Sequence, residues 1–294
     1  MRRAHRFALL TTAATFGLLL VGGVVHGTGS GLACPDWPTC HGTLFPQMKG
    51  GVLFEHTHRL VASSVGLLTL VLMALLWRSL RALGITAAAL VIVQGVLGGM
   101  TVLLRLPPEV STAHLGVSMI FFALLVLICL RTNERFERVE VPVRARVWMG
   151  AALVAIYAQI LLGAWVRHRG AGMACFDIPL CEGRLWPEAS LARLHMLHRI
   201  GAVVSGTLLI AAGFAVRAHV GRRAVLSVLG LVLPILVAGQ IVLGAWSVLR
   251  GLHLVLITAH LGLGALIWAG AVSLWLGTRS EALAEAPAAL GVAR

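Results

Sequence analysis

The chain has 294 residues, of which 59% are apolar and only 12% are charged. The apolar residues gather in blocks of about 20, which as a helix cross a bilayer core about 30 Å thick, so the composition indicates an integral membrane protein. The formal net charge of +13 does not indicate nucleic-acid binding, because the basic residues cluster on one side of the predicted spans.

Eight membrane spans are predicted, and the repeated Gly, Ala and Leu favour helices over a β-barrel. They cover residues 7–27, 57–77, 84–104, 112–130, 147–167, 196–216, 224–248 and 254–277. An even number of spans places both termini on one side of the membrane, and that side carries 15 of the 24 Lys and Arg residues. The positive-inside rule therefore predicts cytoplasmic termini.

Two cysteine pairs lie in loops that this orientation places on the outer face. Cys34 and Cys40 follow the first span, and Cys175 and Cys181 follow the fifth. Disulfides persist outside a bacterial inner membrane, the expected location, so we predict the bonds Cys34–Cys40 and Cys175–Cys181, with free thiols as the alternative. Two ligands per loop do not complete a tetrahedral metal site.

The two halves of the chain repeat each other. The segment TGSGLACPDWPTCHGTLFP (28–46) matches RGAGMACFDIPLCEGRLWP (169–187) at ten of nineteen positions. Further matches are EHTHRL (55–60) with HMLHRI (195–200), QGVLGGMTVL (94–103) with QIVLGAWSVL (240–249), and TAHLG at both 112–116 and 258–262. Both halves begin on the same side, so we predict an all-α fold of eight transmembrane helices in two tandem four-helix bundles related by a parallel repeat.

The repeat also predicts the domain boundaries. We expect an N-terminal four-helix half at 1–135, a cytoplasmic linker at 136–145, a C-terminal four-helix half at 146–280 and a cytoplasmic tail at 281–294.

Four histidines stand at the repeated positions, as His58 with His114 and His198 with His260. The two histidines of each pair stand at the outer starts of two spans, at similar depth on helices predicted to be neighbours. Their imidazoles can therefore point inward across a bundle. Two imidazole nitrogens are the axial ligands that a six-coordinate haem iron requires. Without nearby cysteines or carboxylates, either pair makes a poor zinc or non-haem iron site.

The halves differ where Glu55 aligns with His195. Glu55 precedes His58 by three residues and shares its helix face, whereas His56 is expected to point elsewhere. A carboxylate within a membrane span indicates function, and the alternative is an ion pair with Arg59.

Arginines follow two of the predicted ligands directly, as Arg59 after His58 and Arg199 after His198. A guanidinium at that level can bind a haem propionate in bidentate fashion, or it can extend to the headgroups.

These features together resemble the haem A synthases of the COX15/CtaA family over nearly the whole chain. The motifs that carry the resemblance are EHTHR and HMLHR, each with a later TAHLG, and the two outward C-x5-C loops. The resemblance implies oxidation of a ring methyl of haem O to a formyl group, which gives haem A for cytochrome oxidases. It implies that His58 and His114 hold haem O as substrate and haem A as product, while His198 and His260 hold a haem b that relays electrons.

In that setting we hypothesise that Glu55 is catalytic, because a carboxylate can stabilise positive charge at the reacting methyl carbon or accept its proton. Expected partners are the lipid bilayer, haem O synthase as substrate donor, an unidentified electron donor or acceptor, and a second copy of the chain in a homo-oligomer. Two alternatives use the same sequence features: a diheme b-type electron-transfer protein that leaves its haems unmodified, and a transporter suggested by the repeat.

Overall fold

A computed structural model describes residues 1–136, 138–220 and 225–280. Within this part of the chain, eight helices are long and apolar enough to cross a membrane. They are α1 (Arg2–Gly27), α2 (Gly50–Leu76), α3 (Arg81–Leu103), α4 (Pro108–Thr132), α5 (Val143–His168), α6 (Ser190–His219), α7 (Val225–Leu249) and α8 (Leu254–Leu276). The prediction of an all-α protein with eight membrane helices is confirmed, and the predicted tail at 281–294 lies outside the described residues.

Several helices begin well before the predicted spans. The second span was expected from residue 57 and the fourth from 112, but α2 begins at Gly50 and α4 at Pro108. An apolar window ends where polar side chains begin, although the helical backbone continues through them. Proline at the first position of α4 favours this earlier start, because its fixed φ suits a helix and its missing N–H would lack an intrahelical partner there. The polar residues near each start therefore project from formed helical turns.

Each half closes into a four-helix bundle. In the first half α1 packs against α2 and α4, and α3 packs against the same two helices. The second half repeats this arrangement, with α5 and α7 each packed against α6 and α8. Consequently α2 lies diagonally opposite α4, and α6 lies diagonally opposite α8. This corrects the expectation that the paired histidines stand on neighbouring helices, since each pair stands on diagonally opposite helices of a bundle.

The two bundles pack together through α1, α4, α5 and α8. Trp268 of α8 donates its indole N–H to the Met119 carbonyl of α4 at 2.9 Å. Tyr157 of α5 donates its hydroxyl to the Gly116 carbonyl of α4 at 3.2 Å, and its ring lies 5.5 Å from that of Trp268. Lipid tails are as apolar as leucine, so helices within a membrane associate through close packing and such hydrogen bonds.

The linker holds an element that the sequence did not indicate. Strand β1 (Val139–Val141) pairs in parallel with strand β2 (Thr278–Ser280), which directly follows α8. Arg146 adds a hydrogen bond to the Trp275 carbonyl at 2.8 Å and lies over that indole ring. Strands of three residues are too short to show a period of two, so sequence reasoning interpreted this segment as a plain connection. The linker thus ties the start of the second half to its end.

Candidate functional site

Both predicted disulfides are present, as Cys34–Cys40 and Cys175–Cys181. All four cysteines are buried, and the alternative of free thiols is wrong. The two loops also repeat each other in backbone conformation, since the residues after the second cysteines, His41 and Glu182, both have positive φ angles. We call the side of the molecule that carries these loops the disulfide end, and the side that carries β1 and β2 the linker end.

Asp36 stabilises the turn of the first loop. Its carboxylate accepts hydrogen bonds from the Thr39 hydroxyl at 2.5 Å and from the backbone N–H groups of His41 and Gly42 at 2.6 and 2.9 Å. Chiefly through the Thr39 bond and then the Gly42 bond, these contacts lower the pKa of Asp36 from 3.8 to about 2. Because the folded pKa is depressed, this contribution to loop stability is present above pH 3.8 and is lost as the pH falls through about 2.

Two arginines hold the disulfide loops against the helices that carry the predicted ligands. Arg59 of α2 donates to the Cys34 carbonyl at 3.0 Å and to the Asp36 carbonyl at 2.7 Å. Arg199 of α6 donates to the Cys175 carbonyl at 2.8 Å and to the Asp177 carbonyl at 2.5 Å. The guanidiniums are thus directed at loop backbone. Their predicted role as propionate ligands stays a prediction.

Glu55 is buried beside the first disulfide. Its side chain is 4% exposed, and Oε1 lies 2.6 Å from Nη2 of Arg59. Oε2 accepts the backbone N–H of Cys34 at 2.7 Å. The ion pair that the spacing offered as an alternative is therefore present, and it links α2 directly to the cysteine loop. The catalytic role of Glu55 stays a prediction. It is compatible with these contacts, because a carboxylate has further lone pairs beyond the two that accept them.

The surroundings of the two disulfides differ. A ring nitrogen of His56 lies within 4.8 Å of both sulfurs of the first disulfide, and His56 Nε2 lies 3.1 Å from the Leu44 carbonyl oxygen. His56 therefore faces the loop, on a different side of α2 from the centre of the bundle. In the second half, Met196 and Ala192 pack against the disulfide instead. The trio of His56, Cys34 and Cys40 is not a metal site, because both sulfurs are bonded to each other.

Each of the four repeated histidines lies against a glycine of the preceding helix. The pairs are His58 with Gly22, His114 with Gly98, His198 with Gly163 and His260 with Gly244. A Cβ atom at these glycines would lie 3.2, 3.4, 2.8 and 3.0 Å, respectively, from the Cε1 atom of the ring. At residues 22, 163 and 244 these distances are shorter than ordinary contacts, so glycine permits an approach that a Cβ would obstruct. At residue 98 the contact would be an ordinary one. Sequence reasoning missed these four positions.

Three glutamines donate hydrogen bonds to three of the histidines. Gln94 donates to the His114 carbonyl at 3.1 Å, and Gln240 donates to the His260 carbonyl at 3.0 Å. Gln159 donates to the His198 carbonyl at 2.8 Å, and its Nε2 lies 2.9 Å from the His198 ring nitrogen Nδ1. The signal in the sequence was the motif Gln-x3-Gly, which occurs as QGVLG, QILLG and QIVLG and ends each time on the glycine beside the histidine.

The donor set fits axial ligation of a haem in each bundle. His58 and His114 come from diagonally opposite helices and lie within electrostatic range of each other, as do His198 and His260. Nδ1 atoms of His58, His114 and His260 are buried without a hydrogen-bond partner among the described residues. In the second bundle the amides of Gln159 and Gln240 lie 2.9 Å from His198 Nδ1 and 3.3 Å from His260 Nε2. Buried polar atoms in proteins are normally paired, so the unpaired ring nitrogens indicate a place for a further group. Haem iron takes two such nitrogens.

Comparisons with known proteins identify the family of this chain. The sequence profile of the COX15-CtaA family, described as cytochrome oxidase assembly protein, matches residues 5–53 and 47–272. The heme A synthase of Symbiobacterium thermophilum is 33% identical over 91% of this chain and 93% of its own length. The heme A synthase of Geobacillus kaustophilus is 31% identical over 86% of this chain and 84% of its own length. That of Bacillus cereus strain AH187 is 30% identical over 96% of each chain.

Proposed function

Because the chain belongs to the COX15-CtaA family of cytochrome oxidase assembly proteins, we propose that it is a haem A synthase. It is then a membrane oxidoreductase that acts on haem O, oxidising a ring methyl to a formyl group. The observation that carries this function is the asymmetry between two otherwise repeated sites, since a buried carboxylate lies one turn from His58 in the first bundle and a neutral imidazole takes its place in the second. A pair of identical electron-carrying sites has no need of that difference.

The first bundle is the proposed substrate site. His58 and His114 hold haem O there and later release haem A, and Gly22 allows the His58 ring its close approach to α1. Glu55 accepts a proton from the reacting methyl group or stabilises the positive charge that develops on its carbon. The backbone N–H of Cys34 and the guanidinium of Arg59 hold this carboxylate in place.

The second bundle is the proposed site of a permanently bound haem b. His198 and His260 would hold it, and a haem b in this place would supply one-electron transfer to or from the first bundle. His195 occupies the position equivalent to Glu55 and is buried, with its Nδ1 unpaired among the described residues. An imidazole there adds no fixed negative charge, which suits a haem that is retained and not modified.

Orientation and partners follow from charge and chemistry. We place the linker end in the cytoplasm, because the basic residues concentrate there, and the disulfide end outside a bacterial cell membrane, where disulfides persist. In this arrangement Arg59 and Arg199 stand at the level where haem propionates approach the outer surface. Haem O synthase is the proposed donor of substrate, and an electron donor or acceptor of unspecified identity and a second copy of the chain are proposed partners.

A product analysis tests the function. Purified protein in detergent is supplied with haem O and with either a reductant and oxygen or an oxidant, and the haems are then extracted and identified by mass. We expect haem A, or haem O that has gained oxygen. Recovery of unmodified haem O together with haem b under every condition would favour the diheme electron carrier instead.

Substitution of a single glycine tests the ligand geometry. Gly163→Ala would place a Cβ 2.8 Å from the His198 ring, so we expect a marked fall in bound haem b or a changed absorbance spectrum. Gly98→Ala, measured by bound haem O in the first bundle, is the matched control, because its Cβ would lie at an ordinary contact distance of 3.4 Å from His114. Alanine favours helix over glycine by about 1 kcal/mol, so neither change weakens its helix. Equal behaviour of the two variants would contradict the assignment.

A further inference from the structure

Among the described residues, a glutamine side chain donates a hydrogen bond to the backbone carbonyl of three of the four histidines, and the fourth lacks this bond. On α3, α5 and α7, a glutamine four residues before the glycine donates to the carbonyl of the facing histidine. On α1 the corresponding residue, four before Gly22, is Leu18. Its isobutyl side chain has no donor, and it packs among apolar residues of the first bundle. His58 is therefore the one predicted ligand whose backbone receives no side-chain hydrogen bond among the described residues.

The alignment of the two halves makes this a difference at equivalent positions. Gly22 and Gly163 are 141 residues apart, and so are Leu18 and Gln159, at the same offset as the cysteine loops. At position 159 the amide makes two contacts, with the carbonyl and with Nδ1 of His198, at 2.8 and 2.9 Å. It thus fixes both the helix turn and the ring of that histidine. At position 18 neither contact can form.

Hydrogen bonds of this kind restrain a ligand. Side-chain bonds between membrane helices each contribute modestly, and a partner on the ring of a ligating histidine also fixes the orientation of that ring. A ligand without them leaves its metal at lower cost in free energy. For a haem held by two axial ligands, loss of the weaker one is the first step of release.

We propose that Gln94, Gln159 and Gln240 are positioning residues that lock three haem ligands, and that Leu18 leaves His58 as the one ligand able to withdraw. The first bundle is thereby built to exchange its haem, and the second to keep it. This inference rests on the proposed function, in which haem O must enter the first bundle and haem A must leave it. It adds that His58 is the ligand that dissociates from the haem and that Leu18 allows this by making no hydrogen bond to it.

The test follows the release of each haem from the same protein. Protein that carries haem b and has been loaded with haem O is mixed with excess apomyoglobin as acceptor. The haem that reaches the acceptor is extracted at intervals and identified by mass. Because haem O and haem b differ in hydrophobicity, each variant is compared with the unchanged protein for each haem separately, without turnover of the substrate.

Opposite substitutions at the equivalent positions should have opposite effects. Leu18→Gln should slow the release of haem O about 3- to 10-fold, the range expected for one or two hydrogen bonds between membrane helices. Gln159→Leu should speed the release of haem b by a similar factor and leave that of haem O unchanged. Leu10→Gln is the control for an added amide on α1, because Leu10 is 51% exposed and points away from the bundle; it should change neither rate.

The outcomes separate this inference from the function on which it rests. Unchanged release of haem O from Leu18→Gln, or equal acceleration of both haems by Gln159→Leu, would overturn the inference even if haem A is formed normally. If Leu18→Gln fails to fold, the Gln159→Leu result decides alone. Absence of haem A from the product analysis, with the expected release rates, would instead remove the proposed reaction and leave the exchange of haem in place.

Discussion

Glu55→Gln should lower the rate of haem A formation at least about 100-fold while the protein still binds haem O and haem b, the loss expected for removing a general base or a charge that stabilises the transition state. Glutamine is the informative replacement because of the ion pair seen here. Alanine would leave the largely buried Arg59 without its carboxylate, and breaking such a pair costs about 3–5 kcal/mol. The amide keeps an acceptor oxygen for the Cys34 N–H or for Arg59 and removes the negative charge.

The measurements are the initial rate of haem A formation, the amounts of both bound haems and the melting temperature. His195→Gln is the matched control, because it makes the same side chain at the equivalent position of the second bundle, and we expect it to keep substrate conversion. A normal rate from Glu55→Gln would show that the carboxylate only anchors the cysteine loop. A parallel fall in rate, haem O content and stability would lead to the same conclusion.

The repeat explains how much of the site could be predicted from the sequence. Positions that are identical in both halves, such as the histidines and the cysteine pairs, were found because a second copy marks a residue that both bundles need. Their placement within the bundle was not predictable in the same way. The order of helices around a bundle depends on which faces pack together, and nearly uniform apolar spans carry little information about this, so α2 and α4 were wrongly taken as neighbours.

Residues that act through backbone groups were the hardest to predict. For Arg59 and Arg199, only carboxylates and headgroups were considered as partners, yet both donate to loop carbonyls. Backbone carbonyls are present at every residue and leave no mark in a sequence. The glutamine at 159 escaped notice because it matches a leucine in the first half. An alignment of halves shows what they share, whereas the proposed functional division between them rests on what they do not share, at positions 18 and 55.

Both unlike positions belong to the same helix pair. Leu18 lies on α1 opposite His58, and Glu55 lies one turn before His58 on α2. Both differences favour chemistry and exchange in the first bundle, while the second bundle has an added tether at Gln159 and a neutral ring at His195. Under the proposed function, duplication of a haem-binding bundle followed by these local changes would give one site for a substrate and one for a permanent cofactor.

His198→Ala should abolish the b-type spectrum of the second bundle. Loss of an axial ligand should lower the affinity for haem b by more than the roughly 10- to 100-fold typical of removing a group that only supports a metal ligand. The first bundle should still bind haem O, because each four-helix bundle closes on its own, but conversion should stop for lack of the electron relay. His219→Ala is the control on the same helix, since that ring bonds only to its own helix at the linker end.

A second replacement at the same position separates a ligand from a packing residue. Methionine is also an axial ligand of haem iron and raises its reduction potential relative to bis-histidine ligation. If His198 binds iron, His198→Met should retain haem b with an altered spectrum and a higher potential, whereas His198→Ala should lose it. If His198 only packs against Gly163, both variants should keep the original spectrum and potential. That result would exclude His198 as a haem ligand, and with it the proposed ligand pair of the second bundle.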